Sequence, residues 1–237
     1  MGGSGKRKVP EFAAGSGTKV GENRYSVSLP TRMLSSNANA NSTPATAAWF
    51  IDGAYLFKVW QSLKRTDRLD YLKLRRYLES TFGESIEDAY YFNADPDPTG
   101  AKMSAFHSAL AYRPPDGPGI RVKLYWLQKK ALFWPTSWGG GPVLHPETSR
   151  HFELVQQKAV DVGLAFHLMR SHDHRKWRTL FLAAGDSDFH EVVQHLVENE
   201  DVKLVLIGSD QTISGELLPY ARAVVKIRDI ADELARV

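Results

Sequence analysis

Apolar positions along the chain fall into two kinds of run that follow one another. Short continuous stretches at residues 47–51 and 180–184 have the length and continuity of strands buried on both faces of a parallel sheet. Each leads into a stripe at helical period. Tyr55, Leu56, Val59, Trp60 and Leu63 follow the first, and Phe189, Val192, Val193, Leu196 and Val197 follow the second. A further helix is predicted over 71–81, with Leu72, Leu74 and Leu78 inward, Lys73, Arg75 and Arg76 outward, and Gly83 as its stop.

The remaining pattern continues this alternation. Residues 86–93 read as a strand, 95–98 as a turn, and 102–112 as a helix with Met103, Phe106 and Leu110 on one side. Residues 120–126 alternate with period two, as a strand does, and from 128 to 150 the pattern breaks into a long loop carrying Trp134 and Trp138. Residues 152–157 form a strand expected to pair with 124–128 as a hairpin, and a helix runs from Lys158-Ala-Val-Asp161 through Met169. A strand at 202–207, a helix at 214–220, a strand at 223–227 and a helix at 230–236 complete the chain. Strands alternating with helices predict an α/β fold of three layers, a parallel sheet with helices on both faces.

Composition narrows the class. The chain has 237 residues, of which 43% are hydrophobic, enough for one sizeable core. Residues 1–46, rich in Gly, Ser, Asn, Thr and Ala without apolar periodicity, are expected to be a disordered tail or linker, leaving 47–237 as the folded domain. The absence of cysteine excludes disulfides, thiol catalysis and cysteine-ligated zinc. No apolar run approaches the ~20 residues that span a bilayer, so the expectation is a soluble, cytoplasmic protein. The pI of about 9.0 is carried by the tail. Six bases stand against two acids in residues 1–46, and 24 against 25 in the remainder, so any grip on nucleic acid must come from local patches.

Acids stand at three strand-to-helix junctions: Asp52, Asp161, and the pair Asp186 and Asp188. Each has an ordinary reading. Asp188 suits an N-cap with Glu191 three residues on, and Asp161 in a first turn complements the helix dipole. Asp186 is surplus to capping. In a parallel sheet all such junctions share one edge, where open α/β sheets bind ligands. Clustered carboxylates repel unless a hard cation holds them, and oxygen-only ligation favours Mg²⁺ or Mn²⁺.

Phe50-Ile-Asp-Gly-Ala-Tyr-Leu56, Gln157-Lys-Ala-Val-Asp-Val-Gly-Leu-Ala165 and Ala184-Gly-Asp-Ser-Asp-Phe189, with Ser214-Gly-Glu-Leu-Leu218 behind them, together resemble the motif series of the NYN domain family of PIN-like ribonucleases. The resemblance implies a metal-dependent endoribonuclease acting on RNA, with Asp52, Asp161, Asp186 and Asp188 as metal-binding catalytic positions. The chain departs from the pattern at Tyr55, where many members have Asn, and at His167, where a further acid is common.

Lys158 and Ser187 are candidate phosphate contacts. Arg175, Lys176 and Arg178 are candidate contacts to an RNA backbone, in a basic cluster interleaved with an aromatic residue. Trp134 and Trp138 suit stacking on unpaired bases, or packing on the domain or a second copy of the chain. His172 and His174 lack partners at a zinc spacing. The competing reading is a binding module that holds RNA or a nucleotide at the same edge without cutting it.

Overall fold

The computed structural model describes residues 46–98 and 104–236. The expected tail therefore lies outside the described residues, apart from Thr46, as do Lys102 and Met103. Strand β1 (Thr46–Asp52) is central and buried on both faces, with Ala47, Trp49 and Ile51 in one apolar cluster and Ala48 and Phe50 in the other. The chain continues through α1 (Gly53–Ser62), a two-residue strand β2 (Arg68–Leu69), α2 (Tyr71–Phe82), β3 (Ser85–Asp95) and α3 (Ala105–Ala111). Next come β4 (Arg121–Ala131), β5 (Glu153–Gln157), α4 (Val160–Arg175), β6 (Thr179–Ala183), α5 (His190–Glu198), β7 (Lys203–Gly208) and β8 (Ala221–Lys226). A short α6 (Ala231–Leu234) and β9 (Ala235–Arg236) end it, β9 pairing antiparallel with β2.

The main sheet has the order β5-β4-β3-β1-β6-β7-β8, parallel throughout except where β5 runs antiparallel to β4. Apolar side chains of α1, α2, α3 and α6 pack on one face and those of α4 and α5 on the other, giving the expected three layers. Among the described residues no helix is long and apolar enough to cross a membrane.

Local chemistry explains most boundaries. Asp70 caps α2 by accepting hydrogen bonds from the backbone N–H groups of Leu72 and Lys73, and Gly83 ends it at φ 68°. Helix α4 starts after Ala159, at φ 65° and with no side-chain cap. A missing cap costs about 1 kcal/mol, whereas burying an aliphatic side chain contributes roughly 1.5–3 kcal/mol. Buried Val160, Leu164 and Leu168 therefore hold this helix by packing.

Several expectations require correction. Arg75 points inward, 9% exposed, and donates to the carbonyls of Ile86 and of Pro118, the latter at 2.7 Å. It satisfies backbone acceptors around the start of β3, a task that charge periodicity does not reveal. Tyr71 is buried where Leu72 was expected and Leu72 is only half-buried. Helix α4 runs six residues past Met169, to Arg175. Residues 214–220 form turns ending in a single 3-10 turn at Leu218–Tyr220, since Pro219 supplies no N–H for a helix ladder. The last helix shrinks to Ala231–Leu234, because its final residues pair as β9. Strand β4 passes 128 and pairs through Ala131, so the hairpin register is Leu127 opposite Gln157 out to Ala131 opposite Glu153. The supposed long loop continues this arm, with bridges between Phe133 and Pro142 and between Leu144 and His151.

Candidate active site

Asp52 ends β1 and caps α1, its Oδ1 accepting from the backbone N–H of Tyr55 at 3.0 Å. Burial raises its carboxyl pKa, the Tyr55 N–H opposes that, and the charge of Asp161 raises it further. Asp161, exposed in the first turn of α4, is also raised, by partial burial and then by the charges of Asp186 and Asp188. Electrostatic coupling thus links all four acids through Asp161. Among the described residues none of the four forms an ion pair.

Parallel connectivity alone does not bring Asp161 here, because β5 is antiparallel. The β4–β5 hairpin projects past the carboxyl edge, and β5 descends only as far as Gln157, opposite Leu127, one residue beyond the pairing of Asp95 with Trp126. Helix α4 therefore begins level with the ends of β1 and β6. The loop after β6 differs from expectation in which acid caps it. Asp186, not Asp188, accepts from a backbone N–H, that of Asp188 at 3.1 Å, and a 3-10 turn at Ser187–Phe189 precedes α5. Helix α5 has no side-chain cap. Both acids and Ser187 are exposed.

Four carboxylates outside any ion pair among the described residues are a donor set suited to a hard divalent cation. Their present arrangement is open: among the described residues, no three His, Cys, Asp or Glu side chains are drawn together closely enough to hold a metal ion.

The expected substrate contacts divide by position. Lys158 and the exposed Ser187 lie at the acidic edge, Lys158 immediately before α4. Trp134 and Trp138 are on the projecting arm, 47% and 73% exposed, with ring centroids 6.1 Å apart. Arg175, Lys176 and Arg178 lie at the other end of the sheet, since the five residues of β6, roughly 16 Å of strand, separate Arg178 from the acidic loop. Trp177, the aromatic residue interleaved in that cluster, is 1% exposed and donates through Nε1 to Ser171 Oγ at 3.0 Å. His167 packs between the rings of Tyr90 and Phe92, about 9 Å along α4 from Asp161. Burial, then the charges of Lys123 and Arg170, lower its pKa. It lines a basic pocket with Arg121, Lys123, Arg170, His174 and Arg175, in which Asp88 is the acid.

Other site neighbours had little signal in the sequence. Tyr55, on α1, reaches Thr212 in the loop after β7, and its ring lies over Gly185 and Gly208, where a Cβ would overlap it. Tyr91 lies against Gly53 in the same way, next to Asp52. Burial chiefly, with the charge of Asp52, pushes the Tyr91 hydroxyl up to about 12. Tyr55 stood out in the sequence as a departure from the family pattern, but its partner Thr212 did not, and for Tyr91 the sequence clue was a glycine at a strand end.

The NYN domain family model matches residues 46–228. Comparison with curated proteins gives no match. Among solved structures, the chain is similar to a protein of unknown function from Vibrio parahaemolyticus RIMD 2210633, at 17% identity and a TM-score of 0.52, covering 81% of this chain and 97% of that one. That likeness concerns the fold alone. With the family model spanning nearly all of the described domain, and with the strand order placing its motifs at the carboxyl edge, the chain belongs to the NYN domain family and has a PIN-like fold.

Proposed function

We propose that this protein is a divalent-metal-dependent endoribonuclease whose site is formed by Asp52, Asp161, Asp186 and Asp188. The observation that carries the reading is the placement of these acids at three separate junctions before or within the first turn of a helix, none of them in an ion pair among the described residues. Repulsion among such acids persists in a fold when a cation offsets it in the working state.

In this reading Asp52, held by its bond to the Tyr55 N–H, would be one ligand, and the exposed Asp161, Asp186 and Asp188 would supply the other carboxylates for Mg²⁺ or Mn²⁺. A bound divalent ion supplies charge neutralisation at a scissile phosphate and activation of water. Ser187 donates to a phosphate oxygen and Lys158 adds positive charge at the edge. The substrate is RNA, single-stranded because unpaired strands reach a narrow sheet edge more readily than a duplex. The test is Mn²⁺-dependent cleavage of single-stranded RNA by the wild type and by Asp52→Asn. Equal cleavage by both would remove Asp52 from the chemistry.

A second reading is favoured by one observation, the open arrangement of the acids. It makes the same edge an RNA-binding site that does not cut. Calorimetric titration separates the two. RNA binding without any Mn²⁺ or Mg²⁺ binding selects the second.

A further inference from the structure

A cleft of about 690 Å³ opens between α1 and α3, lined by Gly53, Phe57, Trp60, Tyr91, Asn93 and Phe106 among others. We propose that this cleft holds one unpaired nucleobase of the RNA whose backbone crosses the acidic edge. The proposal rests on the RNA reading above and names the part of the substrate that the acids do not touch.

Position is the first argument. The mouth of the cleft includes Gly53, the residue directly after Asp52, and Tyr91, whose ring lies against that glycine. Glycine at 53 lets the Tyr91 ring lie flat against the start of α1, so that cleft and acid are separated by one residue of backbone. A nucleotide with its phosphate at Asp52 has its base within reach of the cleft.

The lining is the second argument. Phe57 and Phe106, 56% and 40% exposed, both line the cleft. Exposed aromatic rings stack on any base, because every base presents a π-face. The same walls carry the amides of Gln61, Asn93 and Gln157, groups that pair with base edges. His107, 7% exposed in the wall, has an Nδ1 without a hydrogen-bond partner among the described residues. Such a polar atom is costly to leave unpaired in a purely structural cavity. A duplex would not present a splayed base to this cleft.

The charges fit an anionic strand bearing a neutral base. Asp67, in the cleft wall, is taken up by Arg65 at 2.6 Å, and Arg68 remains exposed at the cleft. Arg65 also pairs with Asp232, which leaves Arg68 to meet a phosphate at the cleft.

The test is binding of a fluorescent five-nucleotide single-stranded RNA in EDTA, where cleavage plays no part, to the wild type, Phe57→Ala, Phe106→Ala and Phe57→Trp. A parallel set of the same RNA carries one abasic position at a time. The expected result is about 5- to 150-fold weaker binding by each alanine variant, near-wild-type binding by Phe57→Trp, and no alanine effect on RNA lacking the one seated base. Unchanged affinity in both alanine variants, or an equal loss on every abasic RNA, overturns the proposal. Normal Mn²⁺-dependent cleavage with an unchanged KM in both alanine variants also overturns it and leaves the nuclease reading standing. Binding that follows the expected pattern in a wild type that never cuts keeps the cleft and rejects the nuclease reading. No RNA binding by the wild type in EDTA rejects the cleft, and no cleavage with Mn²⁺ rejects the nuclease reading.

Discussion

The hydroxyl of Tyr55 lies 2.9 Å from Oγ1 of Thr212, which joins the first turn of α1 to the loop after β7 across the end of β6. The ring can occupy this place only because residues 185 and 208 lack a Cβ. The start of α1, which follows Asp52, and Gly185, which precedes Asp186, therefore pack on the same tyrosine.

Gly208→Ala would put a methyl group on the Tyr55 hydroxyl, whereas Gly185→Ala would put one on the Thr212 carbonyl as well as on the Tyr55 ring. Overpacking of this kind costs about 1–3 kcal/mol, or roughly 2–12 °C in a domain of this size. Tyr55→Phe should recover at least half of the loss in Gly208→Ala and little of the loss in Gly185→Ala. Thermal melts of the single and double variants decide it, and strictly additive losses for Tyr55→Phe with Gly208→Ala would contradict the arrangement.

Burial and Asp161 raise the Asp52 carboxyl above its ordinary value of 3.8. A raised carboxyl contributes stability that is fully present below the unfolded value and is lost as pH rises through the folded one. Asp52→Asn is neutral at every pH and still caps α1, so it should melt above the wild type at pH 7. The gain should shrink as pH falls toward 4. A gain that stays constant from pH 4 to pH 8 would not come from this titration.

Asp186 carries the hydrogen bond in its loop and Asp188 does not. Asn accepts that bond about as well as Asp, while Asp186→Ala forfeits about 1 kcal/mol. Without metal, both Asp186→Asn and Asp188→Asn should melt at or above the wild type, the first by at least as much as the second, because each removes a charge acting on Asp161. Both should lose any rise in melting temperature on adding Mn²⁺. A retained rise in Asp186→Asn takes that residue out of the metal site.

Ser171 donates to Asp88 Oδ2 at 2.7 Å and accepts from Trp177 Nε1 at 3.0 Å, all three being buried. Ser171→Ala leaves two buried groups short of a partner, at about 1–3 kcal/mol each. Urea denaturation should show a loss of at least 1 kcal/mol, with the response to Mn²⁺ intact. A loss below about 0.5 kcal/mol would mean that water replaces the hydroxyl.

Periodicity determined the layer structure because the central strands must be apolar on both faces and the flanking helices on one. Ala47 to Ile51 and Leu180 to Ala184 are therefore legible without any tertiary information. The candidate acids were legible for a related reason: a carboxylate at the end of a buried strand interrupts an apolar run. Tertiary structure decided what depends on partners distant in sequence. Arg75 turns inward because the carbonyls of Ile86 and Pro118 need donors, and residues 235–236 leave the helical pattern because β2 offers them a ladder. Asp161 lies toward the carboxyl edge because an antiparallel arm returns the chain there. Which of Asp186 and Asp188 caps the loop depended on a backbone turn only one residue long. The cleft beside Asp52 is made by α1, α3 and β3 together, and its rings are spaced by packing between elements, to which no period along the chain corresponds.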